Sequence, residues 1–176
     1  MIDIDEVKVN KSNREYILHA VKQEGWTFEY ADDILHDDEE IALEAVKNDG
    51  RMLEFVSSRL KANREIVYEA VKKVGWVYCY SDEILRNDKD LIMAGLKIDG
   101  QILYFAHQDL RDDKEVVLEA VKHKGIILKY ASKRLKSDKE IVLEAIKQNK
   151  KAKEFANDDI LQDEDVKNLL NPENKN

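Results

Sequence analysis

Apolar positions along the chain fall into short helical runs, and the runs recur every 25 residues without a slip. The stretch Ile141-Val142-Leu143 and Ala145-Ile146, bounded by charge on both sides, shows the pattern most clearly. It covers a wider helical face than a one-sided surface helix needs. A helix packed by a neighbouring copy on each side needs that width. A second, shorter apolar cluster follows in each copy. In the second copy it is Met52, Leu53, Phe55 and Val56, and Leu60 then seals the unit. Three columns fix the period: Gly25, Gly50, Gly75, Gly100 and Gly125; Lys22, Lys47, Lys72, Lys97, Lys122 and Lys147; Tyr30, Phe55, Tyr80, Phe105, Tyr130 and Phe155. The aromatic column barely varies, so its rings are expected in the core.

The polar positions mark the ends of the elements. Each copy opens on Asn13, Asp38, Asn63, Asp88, Asp113 or Asp138, and an incomplete seventh opens on Asp163. These types cap helices, because their side-chain oxygen accepts an otherwise unpaired amide of the first turn. An acid two places later suits the positive end of the helix dipole. The Lys column and the Gly three places on read as a stop, with Lys at the negative end and Gly in a left-handed cap. The second copy thus predicts a first helix over about Glu39 to Asp49 and a shorter second one over about Arg51 to Ser57.

One such helix pair cannot bury its own apolar face, so the copies are expected to stack. The predicted fold is all-α: tandem 25-residue helix-turn-helix repeats forming a short α-solenoid-like array of about thirteen helices. Residues 1–12 are expected to form an N-terminal cap, with Ile2, Ile4, Val7 and Val9 over the open end. Residues 13–162 carry six repeats in a single array. In the sixth, Gly gives way to Lys150 and the next core positions read Ala152 and Lys153, as suits an exposed end. Residues 163–171, with Val166, Leu169 and Leu170, predict a capping helix, and residues 172–176 after Asn171 a disordered tail.

Net charge −8 and an isoelectric point near 5.1 speak against a nucleic-acid binder, which ordinarily carries a basic excess. The single Cys79 excludes an intramolecular disulfide and a cysteine metal cluster. The acidic start, Asp3 to Glu6, is not a usual secretory signal, and no segment reaches the roughly 20 apolar residues of a membrane span. A cytoplasmic protein, or one exported without such a signal, is expected.

At Asp138 to Lys147, and at Asp113 to Gly125 with Tyr130-Ala131-Ser132, the text resembles a known repeat, the domain-of-unknown-function 4116 family. The resemblance covers residues 13 to about 162 and is best in the fifth copy. The family has no assigned catalytic residues to carry over. Its occurrence in intracellular bacteria, protists and large viruses, sometimes in secreted effectors, implies a host-interaction role by association only.

Residue chemistry adds little. His19, His36, His107 and His123 occupy different places in their copies and read as surface residues, not a metal site. Cys79 shares a column with Glu29, Glu54, Tyr104, Lys129 and Glu154, so a surface thiol is expected. No phosphate-binding, metalloprotease or nucleophile-elbow pattern occurs, and no cofactor, metal or catalytic residue is expected. Two basic ladders remain: the Lys column, and His36, Lys61, Arg86, Arg111 and Lys136 beside Arg14, Arg64, Lys89, Lys114 and Lys139. Both are expected to be compensated by nearby acids.

Trp26, Arg51, Trp76 and Gln101 share the variable column after the glycine, and such residues anchor interfaces. They are the expected contacts of a non-enzymatic protein-binding scaffold, with a monomer favoured. The alternatives are a repeat that binds nucleic acid or another polyanion, and a structural or self-associating module.

Overall fold

The computed structural model describes residues 2–171, so the tail expected at 172–176 lies outside the described residues. The fold is an all-α tandem repeat with no strand among those residues. Its contacts divide the chain into two compact units, Met1–Arg86 and Asn87–Asn176.

In the first unit a short helix, Ile4–Val9, precedes the long helices Arg14–Gln23, Glu39–Asn48 and Arg64–Val71. The second unit has Lys89–Leu96, Lys114–His123 and Lys139–Gln148, then Glu164–Leu170. Helices of this length are marginal alone and depend on packing. Each buries a broad face; in Glu39–Asn48 it is Ile41, Ala42, Ala45 and Val46. That helix lies between the long helices before and after it, and Lys114–His123 is flanked in the same way. Every predicted cap residue accepts an amide of its own first turn, as Asp113 does from Glu115 and Val116.

The second helix of the copy is not α-helical. It is a 3-10 helix that starts on the column glycine itself, as in Gly25–Tyr30 and Gly50–Glu54, or Lys150–Phe155 in the sixth copy. A third turn follows, α-helical at Asp33–His36 and Gln108–Arg111 and 3-10 at the other four places, for example Leu60–Ala62. The expected thirteen helices are therefore ten α-helical and ten 3-10 segments among the described residues.

Two expectations fall with this. No glycine is left-handed. The column needs glycine because the start of the 3-10 helix runs against the next copy's long helix. A Cβ on Gly25 would lie 3.0 Å, and one on Gly50 2.6 Å, from the carbonyl oxygens of Ala45 and Ala70. In the second unit a Cβ on Gly100 would lie 2.8 Å from the Ala120 oxygen. The aromatic column, moreover, is half-buried at all six positions. A 3-10 helix has three residues per turn, so every third residue shares a face. Gly50, Leu53 and Val56 make the buried face, Arg51 and Glu54 the exposed one, and Phe55 lies on the flank below Met52. The large core residues of this segment are Phe28, Leu53 and Tyr78 in the first unit and Leu103 and Leu128 in the second.

Neighbouring copies are also tied by polar bonds. In the first unit the amides of Asp32, Ser57 and Asp82 donate to the carbonyls of Lys11, His36 and Lys61. Ser57 and Arg59 both bond to Asp37, and Ser132 and Arg134 repeat this on Asp112 in the second unit. Of the four apolar residues expected over the N-terminal end only Val7 is buried; Ile4 is 37% and Val9 85% exposed.

Candidate functional site

The 3-10 helices place the variable column at their second residue, on the exposed face, with the fifth residue one turn on beside it. In the first unit this face carries Trp26 with Glu29, Arg51 with Glu54, and Trp76 with Cys79. The first unit thus brings Trp26, Arg51 and Trp76 into one row. Gln101 holds the same place, exposed, in the second unit, followed by Tyr104, which is 54% exposed.

The two tryptophans stand differently from the arginine. Trp26 meets Tyr30 edge-on, with centroids 5.9 Å apart and planes at 85°; Trp76 meets Tyr80 at 5.8 Å and 65°. Trp76 is 42% exposed. Trp26 is half-buried: its Nε1–H donates to Glu24 at 2.7 Å, and its ring borders a shallow hollow with Ile2, Asp3 and Ile4. Arg51 is exposed but fixed, its Nε and Nη2 donating to the Asp49 carboxylate at 2.9 and 2.6 Å. That guanidinium holds the Asp49 carboxyl below the usual range.

The half-exposed column beside this row is the part that sequence reasoning missed. Periodicity signalled conserved aromatic character but not the 3-10 geometry that moves the rings to the flank. Lys8 lies 5.4 Å from the Tyr30 centroid and Lys61 5.7 Å from that of Tyr80. In the second unit Tyr104 packs on Phe105 and Tyr130, with centroids 4.9 and 5.0 Å away. Ile34 and Ile84, 77% and 75% exposed, were also missed.

Much of the two basic ladders is paired with acids or carbonyls. Arg14 reaches Asp38 and Glu40, Lys89 reaches Asp113 and Glu115, Lys114 reaches Asp138 and Glu140, and Lys139 reaches Asp163 and Asp165, all at 2.6 to 2.9 Å or, for Lys139 to Asp163, 3.0 Å. Where the second copy has Glu39 instead of a cation, the facing cap is neutral Asn63, which donates to it at 3.1 Å. The inner column caps carbonyls: Lys61 donates to Glu54 O at 2.7 Å and Arg86 to Cys79 O and Ser81 O. Burial pushes Lys61 and Lys136 below the usual lysine range. Of the Lys column, Lys47, Lys72, Lys122 and Lys147 pair with the glutamate three residues before.

The histidines do not converge. His19, His107 and His123 are exposed, but His36 corrects the surface expectation: it is half-buried, its ring 4.8 Å from Phe28 and its Nε2 2.9 Å from the Phe28 carbonyl. Cys79 is half-buried, and burial raises its pKa. Among the described residues no three His, Cys, Asp or Glu are grouped to hold a metal, and no helix is long and apolar enough to cross a membrane.

No curated protein and no solved structure is matched by the chain. The sequence profile of a domain of unknown function, DUF4116, matches three times in tandem, over residues 13–61, 63–111 and 113–166, so each match takes in two of the 25-residue copies. These matches span most of the sequence, and the chain belongs to the DUF4116 repeat family.

Proposed function

We propose that the chain is a non-enzymatic scaffold that binds another protein along the exposed face of its 3-10 helices. The carrying observation is the pair of Trp–Tyr edge-to-face contacts, Trp26 with Tyr30 and Trp76 with Tyr80, on one row of the first unit. Amphipathic rings held in place and partly open to water are the usual anchors of protein interfaces, because they offer area at little entropic cost. Arg51 adds a fixed guanidinium to that row, and Gln101 an exposed amide in the second unit. A polyanion reading is weaker, since Arg14, Lys89, Lys114 and Lys139 of the outer ladder are each engaged by carboxylates.

Affinity capture tests this reading, with wild type compared against Trp26→Ala/Trp76→Ala at equal helicity by circular dichroism. A protein enriched by wild type and lost by the variant is the expected result. Equal enrichment by both discards the row as the contact. Capture of nucleic acid alone, abolished by moderate salt, replaces the proposal with the polyanion reading.

A further inference from the structure

The inner cationic column is engaged in the first unit and idle in the second. In the first, His36 meets the Phe28 carbonyl, Lys61 donates to Glu54 O, and Arg86 donates to Cys79 O and Ser81 O. In the second, the side chains of Arg111 and Lys136 have neither a hydrogen bond nor an ion pair among the described residues. Both are half-buried, and the Arg111 Nε–H is wholly buried without an acceptor. Burial pushes Lys136 below the usual lysine range, with no carboxylate to offset it. Arg111 holds the place of Lys61: its carbonyl accepts from the Ser132 amide at 2.8 Å, as Lys61 O does from Asp82 at 2.9 Å. In the first unit that place adjoins Glu54 and the Tyr80 ring. The equivalent residues in the second are Tyr104 and Tyr130. Tyr104 packs on Tyr130 with centroids 5.0 Å apart, and Lys129 Nζ stands 4.6 Å from the Tyr130 centroid.

The charges around these rings do not cancel. From Gly125 to Lys136 the chain has Lys129, Lys133, Arg134 and Lys136 and no acid. Of the carboxylates in the copies on either side, Asp112 is held by Ser132 and Arg134, and Asp109 faces His107 at 3.2 Å. Asp158 and Asp159 border an open hollow with Lys133 and Arg134. Glu154 shares its 3-10 helix with Lys150, Lys151 and Lys153. Just before the 3-10 helices, Asp99 stands against Lys97 and Lys124. Arg111, Lys129 and Lys136 remain, a positive edge on a chain of net charge −8. A half-desolvated cation without a counter-charge favours an anionic ligand, and complementary potential selects it. Nucleic acid would want a run of stacking rings, but exposed Tyr104 is followed at its place in the next two copies by Lys129 and Glu154. Resting on the reading of the 3-10 edge as protein-binding, we propose that the second unit binds an acidic segment of a partner protein. Its Asp or Glu carboxylates pair with Arg111, Lys129 and Lys136 beside the Tyr104 and Tyr130 rings.

Three labelled probes test this on the full chain: six repeats of Glu-Ser, six of Gln-Ser, and an oligothymidylate with the same charge as the first. Binding is read by fluorescence anisotropy. The Glu-Ser peptide is expected to bind at least about tenfold more tightly than the other two, against the net charge of the protein. Arg111→Gln/Lys136→Gln, at an unchanged urea midpoint, is expected to weaken it by about tenfold or more. Lys129→Glu, at an exposed position that leaves the core intact, is expected to weaken it by about fivefold or more. Lys22→Glu, the same charge change on the first unit, is expected to leave it within about twofold. No binding of Glu-Ser, an equal loss with Lys22→Glu, or tighter binding of the oligothymidylate overturns the proposal. If Glu-Ser fails while a partner is still captured in a Trp26- and Trp76-dependent way, the scaffold reading stands and only the acidic assignment falls.

Discussion

At Gly50 the side chain is missing because the Ala70 carbonyl occupies its place, 2.6 Å from where a Cβ would stand. Gly50→Ala is therefore expected to cost about 1–3 kcal/mol, the range for forcing atoms into a packed site. Lys150→Ala, at the exposed equivalent in the sixth copy, is expected to change stability by no more than about 0.5 kcal/mol. Urea denaturation of both variants checks the contrast, and equal effects would remove the close-approach explanation. Cys79 makes a second prediction at this scale. Partial burial, outweighing the attraction of Arg86, raises its pKa, so less thiolate is present at neutral pH. Its alkylation at pH 7.5 should be slower than that of a free cysteine peptide, and a faster rate would show the site to be activated. The glycine column was legible in sequence but its cause was not: a left-handed cap and a close approach leave the same residue behind. Only the position of the next copy's carbonyl separates them.

Among the elements, the long helices were the most legible. Their caps, apolar faces and last-turn lysines all state the same boundaries, and Glu39–Asn48 ends one residue from the expected Asp49. The segment after them was not. A six-residue apolar stretch such as Gly25–Tyr30 is too short to distinguish a period of 3.6 from one of 3.0, and the difference moves Tyr30 from core to flank. The contact between successive caps is likewise invisible to a single helix, yet it is written in pairs of columns: a cation faces an aspartate, and Glu39 faces Asn63. Asn63→Asp alone is expected to be destabilising, as it sets a carboxylate against Glu39, and Asn63→Asp/Glu39→Lys to recover that loss. The coupling should be about 0.5 kcal/mol, the scale of exposed pairs; a double-mutant cycle with no coupling would show that the caps do not communicate. Asp113→Ala, which removes the acceptor of the Glu115 and Val116 amides, should cost about 1 kcal/mol.

Across the molecule, many of these contacts involve carboxylates. Ser57 and Arg59 hold Asp37 below the ordinary range, Lys139 does so for Asp163, and at Asp113 and Asp138 partial burial is outweighed by a lysine and by the first-turn amides. A depressed folded-state pKa contributes stability that is fully present above the unfolded value of about 3.9 and is lost as pH falls through the folded value. The urea midpoint should hold from pH 7 to about 5 and then drop steadily toward pH 3; a flat profile would contradict the role given to these pairs. The all-α repeat array was legible from periodicity, and so was the column that Trp26, Arg51 and Trp76 share; that this column lies at the second residue of a 3-10 helix was not. Hydrogen exchange of the chain alone and with its captured partner tests the central claim most directly. The account predicts new protection on the amides of Gly25–Tyr30, Gly50–Glu54 and Gly75–Tyr80; protection confined to the long helices or the third turns would contradict it.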